Sequence, residues 1–139
     1  MPACTFFGHR DTPRYIEPDL RAAIVDLIEN EKVNEFYVGN QGAFDSLVKR
    51  VLCDLLKTYN IKCFVVIAYL RDASAYTETL LPEGVEAVPQ KFRINYRNEW
   101  MIKKSDFVIG YIRYSFGGAA KYFEIAKRKG KKIINLYKN

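Results

Sequence analysis

The chain has a single histidine, His9, and only three cysteines, Cys4, Cys53 and Cys63. One histidine excludes a histidine cluster around a metal ion, and three thiols at these spacings match no zinc pattern. Cys4 and Cys63 fall in stretches that read as buried strands and Cys53 in a helix. All three are therefore expected to be core thiols of a protein in a reducing, cytoplasmic setting. No apolar run approaches the roughly 20 residues of a membrane-spanning helix, so no membrane partner is expected. The opening Met-Pro-Ala-Cys-Thr-Phe-Phe carries neither a basic segment nor a cleavage site. It reads as a first strand and not as a signal peptide. Repeats, linkers and low-complexity segments are missing as well, which leaves one domain over residues 1–139.

Hydrophobic residues make up 49% of the chain, enough for a full core and too many for a disordered segment. The formal net charge is +6, and part of the excess sits in Lys127, Arg128, Lys129, Lys131 and Lys132. Cations there complement the negative pole of a helix, or attract an anionic ligand or nucleic acid.

Residues 3–8 read as a buried strand ending in glycine. Pro13 and Arg14 start a new element, and Ile16, Leu20, Ile24, Leu27 and Ile28 recur at helical spacing to about Glu31. Residues 35–38 form a second strand, stopped by Gly39. A second helix runs from Gly42 to Tyr59, with Phe44, Leu47, Val48, Val51, Leu52 and Leu55 on one face. Cys63 to Tyr69 is apolar without alternation, as in a strand buried on both faces. Residues 70–93 break the rhythm with Pro82, Gly84 and Pro89. A loop of that length is expected either to be a lid, with Tyr76, Thr77 and Glu78 reaching a ligand, or to be a surface excursion. A third helix over 95–104, a strand from Phe107 to Ile112, a helix from Gly118 to Lys129 and a strand from Lys132 to Leu136 complete the chain.

Strands alternating with helices predict an α/β protein: a doubly wound, three-layer parallel sheet of about five strands with helices on both faces. In such a fold, ligands bind beyond the carboxyl ends of the strands. Gly8-His9-Arg10-Asp11, Gly39-Asn40-Gln41-Gly42-Ala43, the 70–93 loop and Tyr114-Ser115-Phe116-Gly117-Gly118 each follow a strand. Topology alone therefore sends them to one edge. Arg10 is a candidate anion contact, and His9 a donor to a ligand oxygen or to its own loop. Gly8 suits close backbone approach. Gly39, Gln41 and Gly42 either offer backbone N–H groups to a ligand or serve the turn. Asp45 reads as a helix-start carboxylate. Ser115, Gly117, Gly118 and Lys121 are candidate phosphate contacts at the start of the last helix. Trp100 suits a core or dimer contact better than a ligand stack.

Thr5-Phe6-Phe7-Gly8-His9-Arg10 and the stretch from Trp100 to Glu124 resemble the SLOG superfamily over nearly the whole chain. That group includes the LONELY GUY phosphoribohydrolases, the YpsA-like proteins, the DprA Rossmann domain and nucleotide sensors of bacterial defence. The LONELY GUY pattern places an arginine on a helix, then a strand, then Pro-Gly-Gly-x-Gly-Thr-x-x-Glu. Arg97, Gly117, Gly118 and Glu124 fall at its arginine, glycine pair and glutamate. Phe116, Ala120 and Lys121 depart from it.

The resemblance implies a Rossmann-like fold and a nucleotide or ADP-ribose-type ligand. It also implies a homo-oligomer, and no metal or cofactor. Glu124 and Arg97 would then be catalytic, as base and orienting group, in hydrolysis of a base–ribose 5′-phosphate bond. The altered glycine turn points instead to a sensor or sequestering protein for a nucleotide signal in bacterial or phage defence. Single-stranded DNA binding, suggested by the charge and the DprA relationship, is the least favoured reading because most of the aromatics sit at core-like positions, so a nucleic-acid partner is not expected.

Overall fold

The structure, a computed structural model, describes residues 2–74 and 78–138. Side chains alternate across the first strand, β1 (Ala3–Gly8). Cys4 and Phe6 enter one apolar cluster, Ala3 and Phe7 another on the opposite face. A strand buried on both faces must be covered by helices on both sides. The helices α1 (Glu17–Asn30) and α2 (Gly42–Leu55) cover the first face with Leu20, Ile24, Leu27, Phe44, Val48 and Val51. On the other, α3 (Arg93–Lys104) and α4 (Gly118–Arg128) bury Met101, Ile102, Tyr122, Phe123 and Ala126.

The strands β2 (Glu35–Val38), β3 (Lys62–Val66), β4 (Thr79–Leu80), β5 (Phe107–Tyr111) and β6 (Lys132–Asn135) complete the sheet. All pairings are parallel, in the order β4-β3-β2-β1-β5-β6. Register runs from Cys4 opposite Phe36 on one side to Cys4 opposite Phe107 on the other. The chain winds outward from β1 through β2 and β3, then returns and winds outward through β5 and β6. Right-handed crossovers put the two windings' helices on opposite faces. The molecule is thus a three-layer, Rossmann-like α/β fold, and the winding reverses between β1 and β5. No helix among the described residues is long and apolar enough to cross a membrane.

Four expectations need correction. Among the described residues the sheet has six strands, because Thr79 and Leu80 pair with Val65 and Val66 at the sheet's edge. A two-residue strand has no period for a sequence to display. The second helix ends at Leu55 instead of Tyr59, its last residues forming a turn. The third strand stops at Val66 instead of Tyr69. Cys53 is exposed on α2 and Cys63 half-buried, so only Cys4 is a fully buried thiol. Burial pushes the Cys4 thiol up, and the Cys63 thiol up to about 12, so neither is a thiolate at neutral pH.

Candidate functional site

A cleft of about 490 Å³ opens at the carboxyl ends of β1, β2 and β5, beside the reversal in strand order. It is bounded by the loops after these strands and by the first turns of α2, α3 and α4.

The loop after β1 is held from two directions. Backbone N–H groups of Arg113 and Tyr114 donate to Nε2 of His9 at 3.0 and 3.1 Å. That nitrogen is therefore an acceptor, and the neutral ring carries its proton on Nδ1. Burial lowers the His9 pKa from 6.5, against the opposing charge of Asp11. Thr12 closes the turn by donating from Oγ1 to the His9 carbonyl at 2.6 Å. On the other side, Arg10 Nη2 donates to Gln41 Oε1 at 3.2 Å, and Ala43 N–H donates to the Arg10 carbonyl at 3.0 Å. Gly42, at φ +87°, makes this crossing possible: a Cβ there would lie 2.8 Å from the Arg10 Cα.

Arg97 projects from α3 to the tip of β2 and is buried, with 3% of its surface exposed. Its Nη1 donates to the Val66 carbonyl at 2.9 Å and to Asn40 Oδ1 at 3.1 Å; its Nε donates to Asn98 Oδ1 at 2.8 Å. Burial lowers its pKa, and Asp45 is the first charge to oppose that shift. Asp45 arrives from the opposite helical layer, in the first turn of α2. Its Oδ2 accepts from the Gln41 N–H at 2.9 Å. Burial pushes the Asp45 carboxyl up to about 6 despite that bond and the charges of Arg97, Lys49 and Arg10. The residue as a whole is half-buried and borders the cleft.

The wall on the β5 side is different. The rings of His9 and Tyr114 lie 4.9 Å apart, and those of Tyr114 and Phe116 are stacked at 5.3 Å. Phe116 is 71% exposed, although it borders the cleft. Gly117, at φ +97°, turns the chain into α4, and a Cβ at Gly117 or Gly118 would meet nothing within 4 Å. The first N–H groups of α4 have no side-chain cap. Tyr122 follows one turn later, buried, donating its hydroxyl to Asn95. Burial raises its pKa.

Of the residues singled out from sequence, Gly8, His9, Arg10, Gly39, Gln41, Arg97, Gly117 and Gly118 border the cleft. Gly42, Ser115, Lys121 and Glu124 do not. Glu124 lies on the exposed side of α4, its carboxylate 3.4 Å from Arg128. Helical rotation explains this: Tyr122, Phe123 and Ala126 take the buried face. Gly8 allows close approach, but of the Phe44 ring, which a Cβ would meet at 2.2 Å. No described residue of the 70–93 loop borders the cleft before Ile94. Glu78 instead accepts a backbone bond from Val65 at the sheet edge, while Tyr76 and Thr77 lie outside the described residues. Trp100 packs edge-on against Tyr37, 5.4 Å between centroids.

Asn95, Asn98, Tyr114 and Tyr122 complete the cleft without having been singled out individually. Asn98 directly follows Arg97, a proximity the sequence displays; the positions of Asn95 and Tyr122 depend on how α3 meets α4. Among the described residues, no group of three or more His, Cys, Asp or Glu side chains is placed to hold a metal ion. No protein-family model matches the chain. No curated protein matches it either.

Proposed function

We propose that this cleft binds a nucleotide or nucleotide-derived molecule, of the mononucleotide or ADP-ribose type, and retains it intact. The observation that carries the reading is the division of chemistry within one cleft. Gly117 and Gly118 leave the start of α4 bare for a phosphate, the exposed Phe116 ring beside them suits a planar base, and buried Arg97 stands opposite. The SLOG resemblance points to the same ligand class. Retention is favoured over hydrolysis because Glu124, the carboxylate that the resemblance makes catalytic, is paired with Arg128 outside the cleft. The same resemblance suggests a homo-oligomer.

One observation favours a second reading. Asp45 is a carboxyl inside the cleft with its pKa pushed up to about 6, in the range useful to a general acid or base. In an N-glycosidic hydrolysis it would take the part that Glu124 is too distant to play.

The deciding experiment incubates the purified protein with AMP, ADP-ribose and cyclic ADP-ribose isomers. Mass spectrometry then follows both the solution and the fraction released by heat. Intact nucleotide depleted from solution and recovered on denaturation supports retention. Free base and ribose phosphate in excess over protein establish the hydrolase. Absence of both overturns the nucleotide reading. Glu124→Gln is expected to behave as the parent protein in either case, and loss of turnover in that variant would return Glu124 to the site.

A further inference from the structure

The segment after β5 brings Tyr114, Phe116, Gly117 and Gly118 to the cleft, and residues 115–118 stand exposed. Its start is anchored to β6, where Ile112 and Asn135 exchange hydrogen bonds of 3.0 and 3.2 Å. Its end is fixed as α4 begins, the Lys121 N–H donating to the Gly117 carbonyl at 3.0 Å. Between these points, among the described residues, two hydrogen bonds tie residues 113–116 to the rest of the molecule. Both end on one atom, Nε2 of His9.

His9 is suited to hold this span. It directly follows β1, where Gly8 lies opposite Tyr111 in register. Its own carbonyl is fixed by Thr12, through the N–H at 3.2 Å and Oγ1 at 2.6 Å. The residue is buried, and its ring packs against Tyr114, which stacks in turn on Phe116. A neutral imidazole protonated on Nδ1 accepts at Nε2, whereas an imidazolium carries hydrogen on both nitrogens and accepts at neither. A proton on Nε2 would face the N–H hydrogens of Arg113 and Tyr114 at once. One titration therefore removes both bonds from residues 113–116. The charged and titratable groups around it are Arg10 and Asp11 on its own loop, Arg113 and Tyr114 across from it, Asp45 on α2, Arg97 on α3 and Tyr122 on α4. Burial outweighs the charge of Asp11 and keeps the ring neutral at pH 7.

We infer that His9 is a positioning residue of the cleft: its neutral ring holds the β5–α4 loop in the shape that receives the ligand, and acid releases loop and ligand together. This rests on the nucleotide reading above and adds its control by pH. Phe116, Gly117 and Gly118 are the proposed base and phosphate contacts, and a loop without its brace presents them correctly only part of the time. Ligand affinity falls in proportion to that fraction. The bound form excludes the proton, so affinity is full above the His9 pKa and is lost as pH falls through it. Because His9 acts through the Arg113 and Tyr114 N–H groups, an acceptor that does not titrate should replace it. The Oε1 of a glutamine is such an acceptor.

The test is calorimetric titration of AMP and ADP-ribose, from pH 7.5 down to pH 4.5, into the parent protein, His9→Ala and His9→Gln. At pH 7.5 His9→Ala is expected to bind roughly 10-fold more weakly than the parent, and His9→Gln to recover most of that loss. Below about pH 6 the parent should lose roughly 10-fold more affinity than His9→Gln. Asp45 and the ligand phosphate titrate in this range in every protein tested, so the difference between parent and His9→Gln isolates the ring. Parent and His9→Gln losing affinity in step, or His9→Ala binding as the parent does, overturns the assignment and leaves the nucleotide reading standing. So does a His9→Gln variant as weak as His9→Ala at pH 7.5. Failure of the parent to bind either compound overturns the nucleotide reading and the ligand's release with it. Nitrogen-15 NMR of the parent without ligand decides the brace itself, whether or not the variants fold. An unprotonated Nε2 at pH 7.5 is expected, with Arg113 and Tyr114 amide signals that shift as the ring titrates. A proton on Nε2 at pH 7.5, or amide signals indifferent to the ring, overturns it.

Discussion

On the β2 side of the cleft, Asp45 and Arg97 are braced by four hydrogen bonds, and a Cβ on Gly39 would lie within 3.2 Å of both side chains. On the β5 side, Phe116 stands mostly in solvent, and a Cβ on Gly117 or Gly118 would meet nothing within 4 Å. His9 reaches across, its ring tied to the backbone of Arg113 and Tyr114. The braced wall holds desolvated charge, which is tolerable only where hydrogen bonds fix it. The open wall holds bare backbone and aromatic surface, which cost little to leave exposed and gain when a ligand covers them. A preformed polar wall facing an uncovered apolar one gives orientation on one side and buried area on the other.

The two walls also respond to pH in opposite senses. The Asp45 pKa is raised from 3.8 to about 6, so the folded protein holds a proton there that the unfolded chain releases. Its contribution to stability therefore falls as pH rises between those values and stays reduced above them. His9 is lowered from 6.5, so the unfolded chain takes up a proton more readily than the fold does. Its contribution is present above 6.5 and is lost as pH falls below it. Protonation of Nε2 would also break both bonds to the β5–α4 loop.

The sharpest way to break the contrast is Arg97→Ala. It removes the donor to Val66, Asn40 and Asn98 from a buried position. A loss of about 3 kcal/mol in chemical denaturation is expected, with loss of nucleotide affinity. A change below about 1 kcal/mol would mean that the braced wall is no more rigid than the open one. Next in size is His9→Ala, which frees two backbone donors and should cost about 2 kcal/mol at pH 7.5. Melting curves at pH 7.5 and 5.5 should separate less for this variant than for the parent; an unchanged separation would show that His9 is not the acid-sensitive link.

Asp45→Asn acts in the opposite direction. It removes an under-hydrated charge and should raise stability by about 1 kcal/mol at pH 7.5, or about 3 °C in Tm. The gain should vanish below about pH 3, where the parent carboxyl is protonated in both states. A destabilised variant at pH 7.5 would make Asp45 a structural ion-pair partner and not a group held ready for ligand. Phe116→Ala is the smallest in stability, within about 0.5 kcal/mol, because the ring is so exposed. It should nevertheless weaken base-containing ligands about 10-fold while leaving ribose 5-phosphate unaffected. Equal weakening of both would move the base elsewhere in the cleft.

The sequence by itself determined the alternation of strand and helix, the parallel three-layer sheet and the edge at which the site lies. Apolar periodicity and glycine stops such as Gly39 are local properties, and topology converts them into a position at the strand ends. The sequence also singled out His9 and the glycine pair, because charge and missing side chains are readable one residue at a time, and Arg97 through the spacing of a motif it resembles. Tertiary structure alone decided which side chains face the cleft. The rotation of α4 sends Glu124 to solvent and Tyr122 inward, a difference of two positions that no motif spacing resolves. Asp45 looks from sequence like any acid at a helix start. Only the packing of α2 and α3 around the tip of β2 brings it beside Arg97 with too little water for an ordinary carboxylate, because desolvation depends on everything that surrounds a group and on nothing within the residue itself.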